Sequence, residues 1–410
     1  MKKVLFICVT MLLICISGKA TERNLLLIPY PQQVSIKQGN YNLTDNVKIG
    51  ADPLFTQELK KLQEVLTEDF GLKSQIVKPS KADISLCYDA SFMQEEKEAY
   101  QLEVTDMKIT IRAQMATGIF YGIQSLRQLI KSEAGKWIIP KLTITDYPAL
   151  SWRSFMLDEG RYFKGEKVVK QILDEMALLK MNVFQWHLTD DQGWRIEIKK
   201  YPRLTEIGAF RDSTQMEWYE RFYTQTQIRS IIKYASERHI TIIPEIEMPG
   251  HSAAAIAAYP WLSATGKEIK VPCNFGVQYD VFNVTDPKVL NFLNDVIDEV
   301  TTLFSSGILH IGGDEVRYDQ WNASSSVQKF IQEKGFSSAS DIQVWFTNQM
   351  SKVIAQKGWR MMGWNDITGE KLHHFQSGDK EGTERLAPGT IVQFWKGDSD
   401  ILQRAAEQGQ

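Results

Sequence analysis

The sequence predicts an α/β protein: a (β/α)8 TIM barrel preceded by a small α/β domain. Three observations carry this. From about Ile144 onward, short apolar strands alternate with acidic loops and long helices, the pattern of parallel β/α units. The strands end in acids beside Gly or Pro. The last is the stretch His310-Ile-Gly-Gly-Asp-Glu-Val316, where a buried-strand pattern (Ile308 to Ile311) opens through two glycines onto adjacent carboxylates. Polar residues gathered at the C-terminal ends of successive apolar strands are how such a barrel builds an active site.

The strands expected in the barrel are Ser154-Phe-Met-Leu-Asp158, Val183 to Leu188, Ile240 to Glu245, the run near Leu309, Met361 to Trp364, and Thr390 to Trp395. The helices Glu166 to Leu179, Thr226 to Arg238 and Lys288 to Phe304 are long enough to serve as crossovers. That is six β/α units where eight are needed, and the sequence reaches Gln410 in the expected sixth helix. The barrel in residues 148–410 is therefore expected to be incomplete at its C-terminal side. Strand number and shear are linked in a closed barrel, so six strands leave open edges. Residues 21–410 expressed alone are expected to be poorly soluble or nearly inactive, against a stable and active version carrying two more units.

Residues 21–147 alternate short strands with two helices. Candidates are Val47 to Gly50, Ile84 to Cys87, Tyr100 to Val104 and Lys108 to Arg112, with helices from Leu54 to Phe70 and Ala116 to Ile130. This small α/β domain carries no evident chemistry. Lys2 and Lys3, the apolar run Val4 to Ile16 and Ser17-Gly-Lys-Ala20 read as a signal peptide over residues 1–20. About 13 apolar residues are too few to span a bilayer, which takes about 20. The mature chain is expected to be exported: periplasmic, secreted or at the cell surface, with a lipid anchor at Cys15 disfavoured by the bulky Ile14.

The 410 residues are 43% hydrophobic and 24% charged with net charge −3, an ordinary globular balance. Nothing in that balance calls for a nucleic acid or an anionic membrane as partner. Only Cys87 and Cys273 follow the signal. Two distant cysteines make neither a disulfide scaffold nor a metal site, and both are expected to be small buried hydrophobes.

Asp314 and Glu315 are the first candidates for chemistry. On an extended backbone adjacent side chains point apart, which suits two carboxylates with different tasks. An ordinary retaining glycosidase places two carboxylates about 5–5.5 Å apart, usually from different strands. A neighbouring pair instead suits one acid that protonates a leaving oxygen and one that orients a nucleophile carried by the substrate. His251, in a Pro-Gly turn at the expected rim, is placed to tune a carboxyl group. His187 and His310 lie inside strands and read as core histidines. Arg161, three residues after Asp158, suits either vicinal hydroxyls or a structural ion pair. Trp186, Trp194, Trp345, Trp364 and Trp395 stand at or near strand ends, where they would form an apolar platform for a sugar face.

Five motifs in order, Phe155 to Arg161, His187 to Arg195, Pro244 to His251, His310 to Val316 and Gly363-Trp364, resemble the family 20 β-N-acetylhexosaminidases, and the leading α/β domain extends the resemblance over about residues 25 to 410. It implies a retaining exo-glycosidase that removes terminal non-reducing β-linked N-acetylglucosamine or N-acetylgalactosamine through an oxazolinium intermediate, with no cofactor and no metal. By the same resemblance Glu315 is the general acid/base and Asp314 orients the 2-acetamido group. Arg161 holds sugar hydroxyls, Asp190 and His251 form a relay behind Glu315, and Trp364 lines the acetamido pocket. Two departures stand out. Glu247 occupies a place where the family generally has Asp, and the Tyr, Trp and Glu of the later barrel strands would lie beyond Gln410. Two other classes remain. A metal-dependent barrel hydrolase is disfavoured by the lack of His-x-His or His-Glu-x-x-His spacing. A glycan-binding protein without turnover fits an incomplete barrel.

Overall fold

The computed structural model describes residues 25–211, 221–369, 372–374 and 385–407. The expected signal at 1–20 lies outside the described residues. The chain divides into two compact units: residues up to Ser151 with Met176–Lys180, and Trp152–Glu175 with the residues from Met181 on.

The first unit is a mixed sheet of β1 (Gln33–Asn42), β2 (Asn46–Ala51), β3 (Lys73–Ile76), β4 (Ile84–Tyr88), β5 (Tyr100–Val104), β6 (Ile109–Ala113), β7 (Lys131–Glu133) and β8 (Lys136–Asp146). Its order is β1-β8-β5-β6-β4-β2-β3, with β7 against β8. Helices Thr56–Glu68 and Ala116–Leu129 accompany it. The pattern of alternating burial in β5 and β6 is the half-buried strand signature the sequence displays. The strands β1 and β8 escaped that reading for physical reasons. β1 is a largely exposed polar edge strand, and β8 contains Pro140, which weakens a strand assignment.

The second unit holds β9 (Ser154–Asp158), β10 (Val183–His187), a two-residue hairpin of β11 (Thr189–Asp190) and β12 (Gly193–Trp194), then β13 (Thr241–Glu245), β14 (Ile308–His310), β15 (Arg360–Trp364) and β16 (Ile391–Gln393). Six of these form one parallel sheet in chain order, β9-β10-β13-β14-β15-β16. Helices Glu166–Leu178, Gln225–Ser236, Pro287–Leu303 and Ala339–Gln356 make the crossovers. Their starts are written locally: Thr224 and Gln227 close a capping box, Asp286 caps ahead of Pro287, and Ser338 pairs with Asp341. The six barrel strands expected from sequence are those present. Among the described residues β9 and β16 are each paired on one side only. No helix there is long and apolar enough to cross a membrane.

Register decides what this sheet presents. Asp158 pairs with His187, His187 with Glu245, Glu245 with His310 and His310 with Met362. Residues in register share a face, so the strand ends carry one row of ionisable side chains. Deeper along the same face, Val183, Ile243 and Met362 form an apolar cluster with Ile308 and Ile391. Residues of the other parity face away. Trp186 packs on Tyr223 at 4.7 Å and Phe304 at 6.4 Å and is fully buried.

That parity corrects the expected aromatic platform. Trp186 and Trp194 are core residues, and Trp345 packs on Phe330 at 5.2 Å. Only Trp364 and Trp395 come together near strand ends, 6.3 Å apart. The cysteines differ from expectation too: Cys273 is exposed, in a segment without regular structure, and Cys87 is half-buried.

Arg195 ties the loops after β9 and β10. It is buried and donates Nε to Glu159 O (2.9 Å), Nη1 to Ala209 O (2.8 Å) and Arg221 O (3.1 Å), and Nη2 to Gly160 O (3.0 Å). Burial is the main reason its pKa is lowered to about 10. Removing the guanidinium strands these carbonyls, each worth about 1–3 kcal/mol when buried without a partner. Arg195→Met is therefore expected to cost more than about 3 kcal/mol, read as a lower urea midpoint at unchanged slope. A loss below about 1 kcal/mol would show that water takes over the carbonyls.

Candidate active site

The row at the strand ends is a buried array of acids and imidazoles. His187 Nε2 lies 3.3 Å from Glu247 Oε1 and 3.6 Å from Asp190 Oδ2, and its Nδ1 is 3.7 Å from Asp158 Oδ1. Burial alone would lower its pKa, but Glu245 and then Glu247 and Asp158 outweigh burial and raise it well above the ordinary value. His310 Nδ1, which accepts from Gly312 N at 3.0 Å, lies 3.1 Å from Glu245 Oε1, and that oxygen accepts from Trp364 Nε1 at 3.1 Å. Gln185 Nε2 donates to Glu245 Oε2 at 2.7 Å. Burial would raise the Glu245 pKa; His187 and His310 instead hold it well below the carboxylate range. Both histidines are buried, as expected, but inside a charge network.

The two carboxylates singled out first do come together, in a geometry the sequence misjudged. The backbone is not extended through the pair: Glu315 is left-handed, with φ of 51°. Their side chains therefore converge instead of diverging. His251 Nε2 lies 3.5 Å from Asp314 Oδ2 and 3.5 Å from Glu315 Oε2. His251 is itself left-handed (φ 47°). Non-glycine residues in that region cost about 1–3 kcal/mol and cluster at functional sites. Behind His251, Nδ1 is 3.2 Å from Asp190 Oδ1 and 3.2 Å from Asp191 Oδ2.

The electrostatics of this chain are directional. Burial would lower the His251 pKa, but Asp190 and Asp314 raise it well above the ordinary histidine value. Asp190, despite burial, is held at about 2, chiefly by His251. Glu315 is lowered, first by its interaction with His251 and against burial, with help from His373 and Lys396. Asp190, His251 and Glu315 are thus in line, and the resting pair is imidazolium and carboxylate.

Arg161 makes the ion pair that its spacing allows. Nη1 pairs with Asp158 Oδ2 at 2.8 Å and Nη2 with Asp190 Oδ2 at 2.9 Å, yet the side chain stays 43% exposed and can offer further donors. Burial would lower its pKa; Asp190 and Asp158 raise it further.

Glu247 explains Gly312. A Cβ on Gly312 would land on the Glu247 carboxyl group, and Gly312 has φ of 63°. The methylene by which Glu exceeds Asp is taken up in the space that glycine leaves. Glu247 is buried, and burial together with Asp314 raises its pKa well above the ordinary value.

Several site residues were not anticipated. Glu245, Asp191, Asp366, His373 and Lys396 all join the network, and Trp395 borders it. Glu245 and Asp366 had a signal, since each ends or follows a barrel strand. His373 had none, because it stands in a segment without periodicity. The structure also gathers four overlapping sets of candidate metal ligands that no sequence spacing suggested, among them Asp190, Asp191 and His251, and His251, Asp314 and Glu315.

A parallel β/α sheet whose strand ends carry paired carboxylates tuned by a buried histidine defines a barrel of the catalytic type. Residues 150–410 match the model of the glycosyl hydrolase family 20 catalytic domain, and residues 24–147 match glycosyl hydrolase family 20, domain 2. The chain belongs to glycosyl hydrolase family 20. It is 37% identical to a β-hexosaminidase of Porphyromonas gingivalis over 99% of this chain, but spans only 53% of that relative's length. A β-N-acetylhexosaminidase structure from Bacteroides fragilis superimposes with a TM-score of 0.80 at 33% identity, covering 93% of this chain and 73% of that one. An exo-β-N-acetylglucosaminidase from Vibrio harveyi, solved with N-acetylglucosamine, does so with 0.80 at 28% identity, covering 96% and 60%.

Gly312→Ala is expected to lower stability by more than about 1 kcal/mol, from the positive φ and the collision with Glu247. Glu247→Asp in the same chain should recover part of that loss. Equal losses in the single and double mutants, measured by denaturant unfolding, would mean that the two residues do not compete for space.

Proposed function

We propose that the protein is a retaining exo-glycosidase that removes terminal non-reducing β-linked N-acetylhexosamine by substrate-assisted catalysis. The single observation carrying this is His251 Nε2, held 3.5 Å from a carboxylate oxygen of both Asp314 and Glu315. Glu315 takes the proton the pair shares from His251 and passes it to the glycosidic oxygen as the bond to the anomeric carbon breaks. The substrate's acetamido oxygen attacks that carbon while Asp314 accepts from the acetamido N–H, giving an oxazolinium. Water then attacks the anomeric carbon and loses its proton to Glu315, which regenerates the acid. Arg161 holds sugar hydroxyls, and Trp364 lines the acetamido pocket. Membership of the family and the likeness to a structure holding N-acetylglucosamine support this substrate class. The lysine-led apolar run at residues 2–16 supports export, and so glycans outside the cytoplasm as substrates.

Glu315→Gln should lower turnover of natural glycosides by about 10²–10⁴-fold, with binding retained and partial rescue by a leaving group that needs no proton. Wild-type rates in that variant would overturn the role. An aryl β-glucoside without the acetamido group should be turned over negligibly, and a thiazoline mimic of the intermediate should bind far more tightly than substrate. Efficient cleavage of the glucoside, or a glycosyl ester trapped on Glu245 or Glu247, would favour a two-carboxylate mechanism. Turnover should survive EDTA; loss with EDTA and recovery with zinc would put the His251 cluster to work as a metal site.

The pH dependence follows from the shared proton. His251 is raised and Glu315 lowered, so the pair keeps one proton until pH passes the raised histidine value. Activity should persist above the ordinary histidine range near 6.5 and fall beyond it. In His251→Gln the proton is held by Glu315 alone, and the fall in kcat/KM should move to acidic pH. An unmoved limb would separate His251 from the acid.

A further inference from the structure

The two carboxylates of the site hang on a turn that opens with glycines. Gly312 and Gly313 have φ of 63° and 86°, and Glu315 is left-handed. Glycine leaves the backbone torsions almost unrestrained, so this turn keeps its shape only where its peptide groups are held. Residues at the ends of neighbouring strands supply some of the holders. Trp364 N donates to Gly312 O at 2.9 Å, and Glu315 N donates to Asp366 Oδ1 at 3.3 Å. Gly250 leaves room for Asp314 O, which a Cβ there would meet at 3.0 Å. Gly313 O is held from elsewhere: it accepts from Gln343 Nε2 at 3.0 Å. Gln343 is a buried, uncharged residue of the crossover helix Ala339–Gln356. A carbonyl oxygen only accepts, so the amide nitrogen must face Gly313, which leaves Gln343 Oε1 to accept from the Tyr318 hydroxyl. Tyr318 is itself buried and stacks on the fully buried Trp321 at 5.9 Å, and Trp321 Nε1 donates to Phe282 O at 3.0 Å. One amide thus joins the residue before Asp314 to the third residue after Glu315, with both carboxylates inside the loop it closes.

We propose that Gln343 is a positioning residue: it fixes the Gly313–Asp314 peptide plane and so aims the Asp314 carboxylate, a role whose catalytic meaning rests on the function proposed above. The plane turns about Gly313 ψ and Asp314 φ, and Gly313 has no side chain to oppose the turning. A hydrogen bond at Gly313 O sets that angle, and the Asp314 Cα–Cβ bond follows it. The aim matters because the two Asp314 oxygens differ. Oδ2 lies 3.5 Å from His251 Nε2, while Oδ1 is buried without a hydrogen-bond partner among the described residues. A buried acceptor of this kind calls for a donor, and the substrate's acetamido N–H is one. Misplacing such a group by about 1 Å can cost about 10²-fold in rate. Glu315 has holders of its own in His251 and Asp366, so losing Gln343 falls chiefly on Asp314.

Peptide and chemistry can be read separately. The chain has three Gly–Asp bonds, at Gly313–Asp314, Gly378–Asp379 and Gly397–Asp398. Protein labelled at the glycine carbonyl carbon and the aspartate nitrogen shows only these aspartate amides in carbonyl-edited NMR, and Asp314→Asn assigns the one of interest. Gln343→Met, similar in length but without a donor, should move the Asp314 signal and leave the other two in place. It should lower kcat by about ten- to a hundred-fold with KM near wild type. Binding of the thiazoline mimic should weaken in step with kcat/KM, while binding of N-acetylglucosamine, held also through its hydroxyls, changes less. Tyr318→Phe keeps the donor but releases the amide oxygen. It should give the same pattern with a smaller loss, and it carries the test if Gln343→Met does not fold. An Asp314 signal and a kcat unmoved in both variants overturn the role. Equal weakening of the thiazoline and N-acetylglucosamine also overturns it, because that marks a general loosening of the site. An Asp314 signal that moves in a chain without turnover keeps the role of Gln343 and removes the proposed function instead.

Discussion

Everything at the mouth of the sheet depends on neutralising buried carboxylates. Asp158, Glu245 and the loop acids Asp190, Asp191, Glu247, Asp314 and Glu315 converge where water is largely excluded. An isolated buried charge carries a solvation cost too large for a marginally stable fold, so each acid must be paired, hydrogen-bonded or protonated. The chain uses all three devices. Arg161 bridges Asp158 and Asp190, the raised imidazoles of His187 and His251 meet Glu247, Asp190 and Asp191, and burial with Asp314 pushes the Glu247 carboxyl group toward its neutral form. Removing one member alters the protonation of its neighbours, which is how a residue that never reaches substrate can set the acidity of one that does.

This coupling requires that the strands stay in register. Asp158, His187, Glu245 and His310 each come from a different strand, and a one-residue slip would turn that side chain toward the helices. The apolar cluster of Val183, Ile243 and Met362 beneath the row and the helix-facing aromatics around Trp186 hold that register from both sides. Stability and chemistry are arranged in successive layers of one sheet. The apolar layer carries packing, and the strand ends carry charge.

Local strain completes the arrangement. His251 and Glu315 occupy left-handed backbone, and Gly312 gives its side-chain space to Glu247. The result aims two neighbouring carboxylates at one imidazole nitrogen, which an extended strand end cannot do. On the far side His373 stands between Glu315 and Asp366, with Lys396 at its Nδ1. His251 can supply a proton to Glu315.

The sequence by itself determined the layers and the family. Alternating apolar strands, capped crossover helices and acids at strand ends depend on local periodicity, so β9, β10, β13, β14, β15 and β16 were legible, as were Asp314, Glu315, Arg161 and His251. Strand parity even held information left unread: with His187 facing the site, Trp186 had to face the helices. What the sequence could not determine was which groups meet and in which protonation state. The convergence of Asp314 and Glu315 depends on a left-handed φ. The charges of His187 and His251 depend on acids from other strands. His373 comes within 3.8 Å of Glu315 from a segment 58 residues further along. Such contacts are set by packing across strands, and proton affinity follows from distance and burial, neither of which is written in local order.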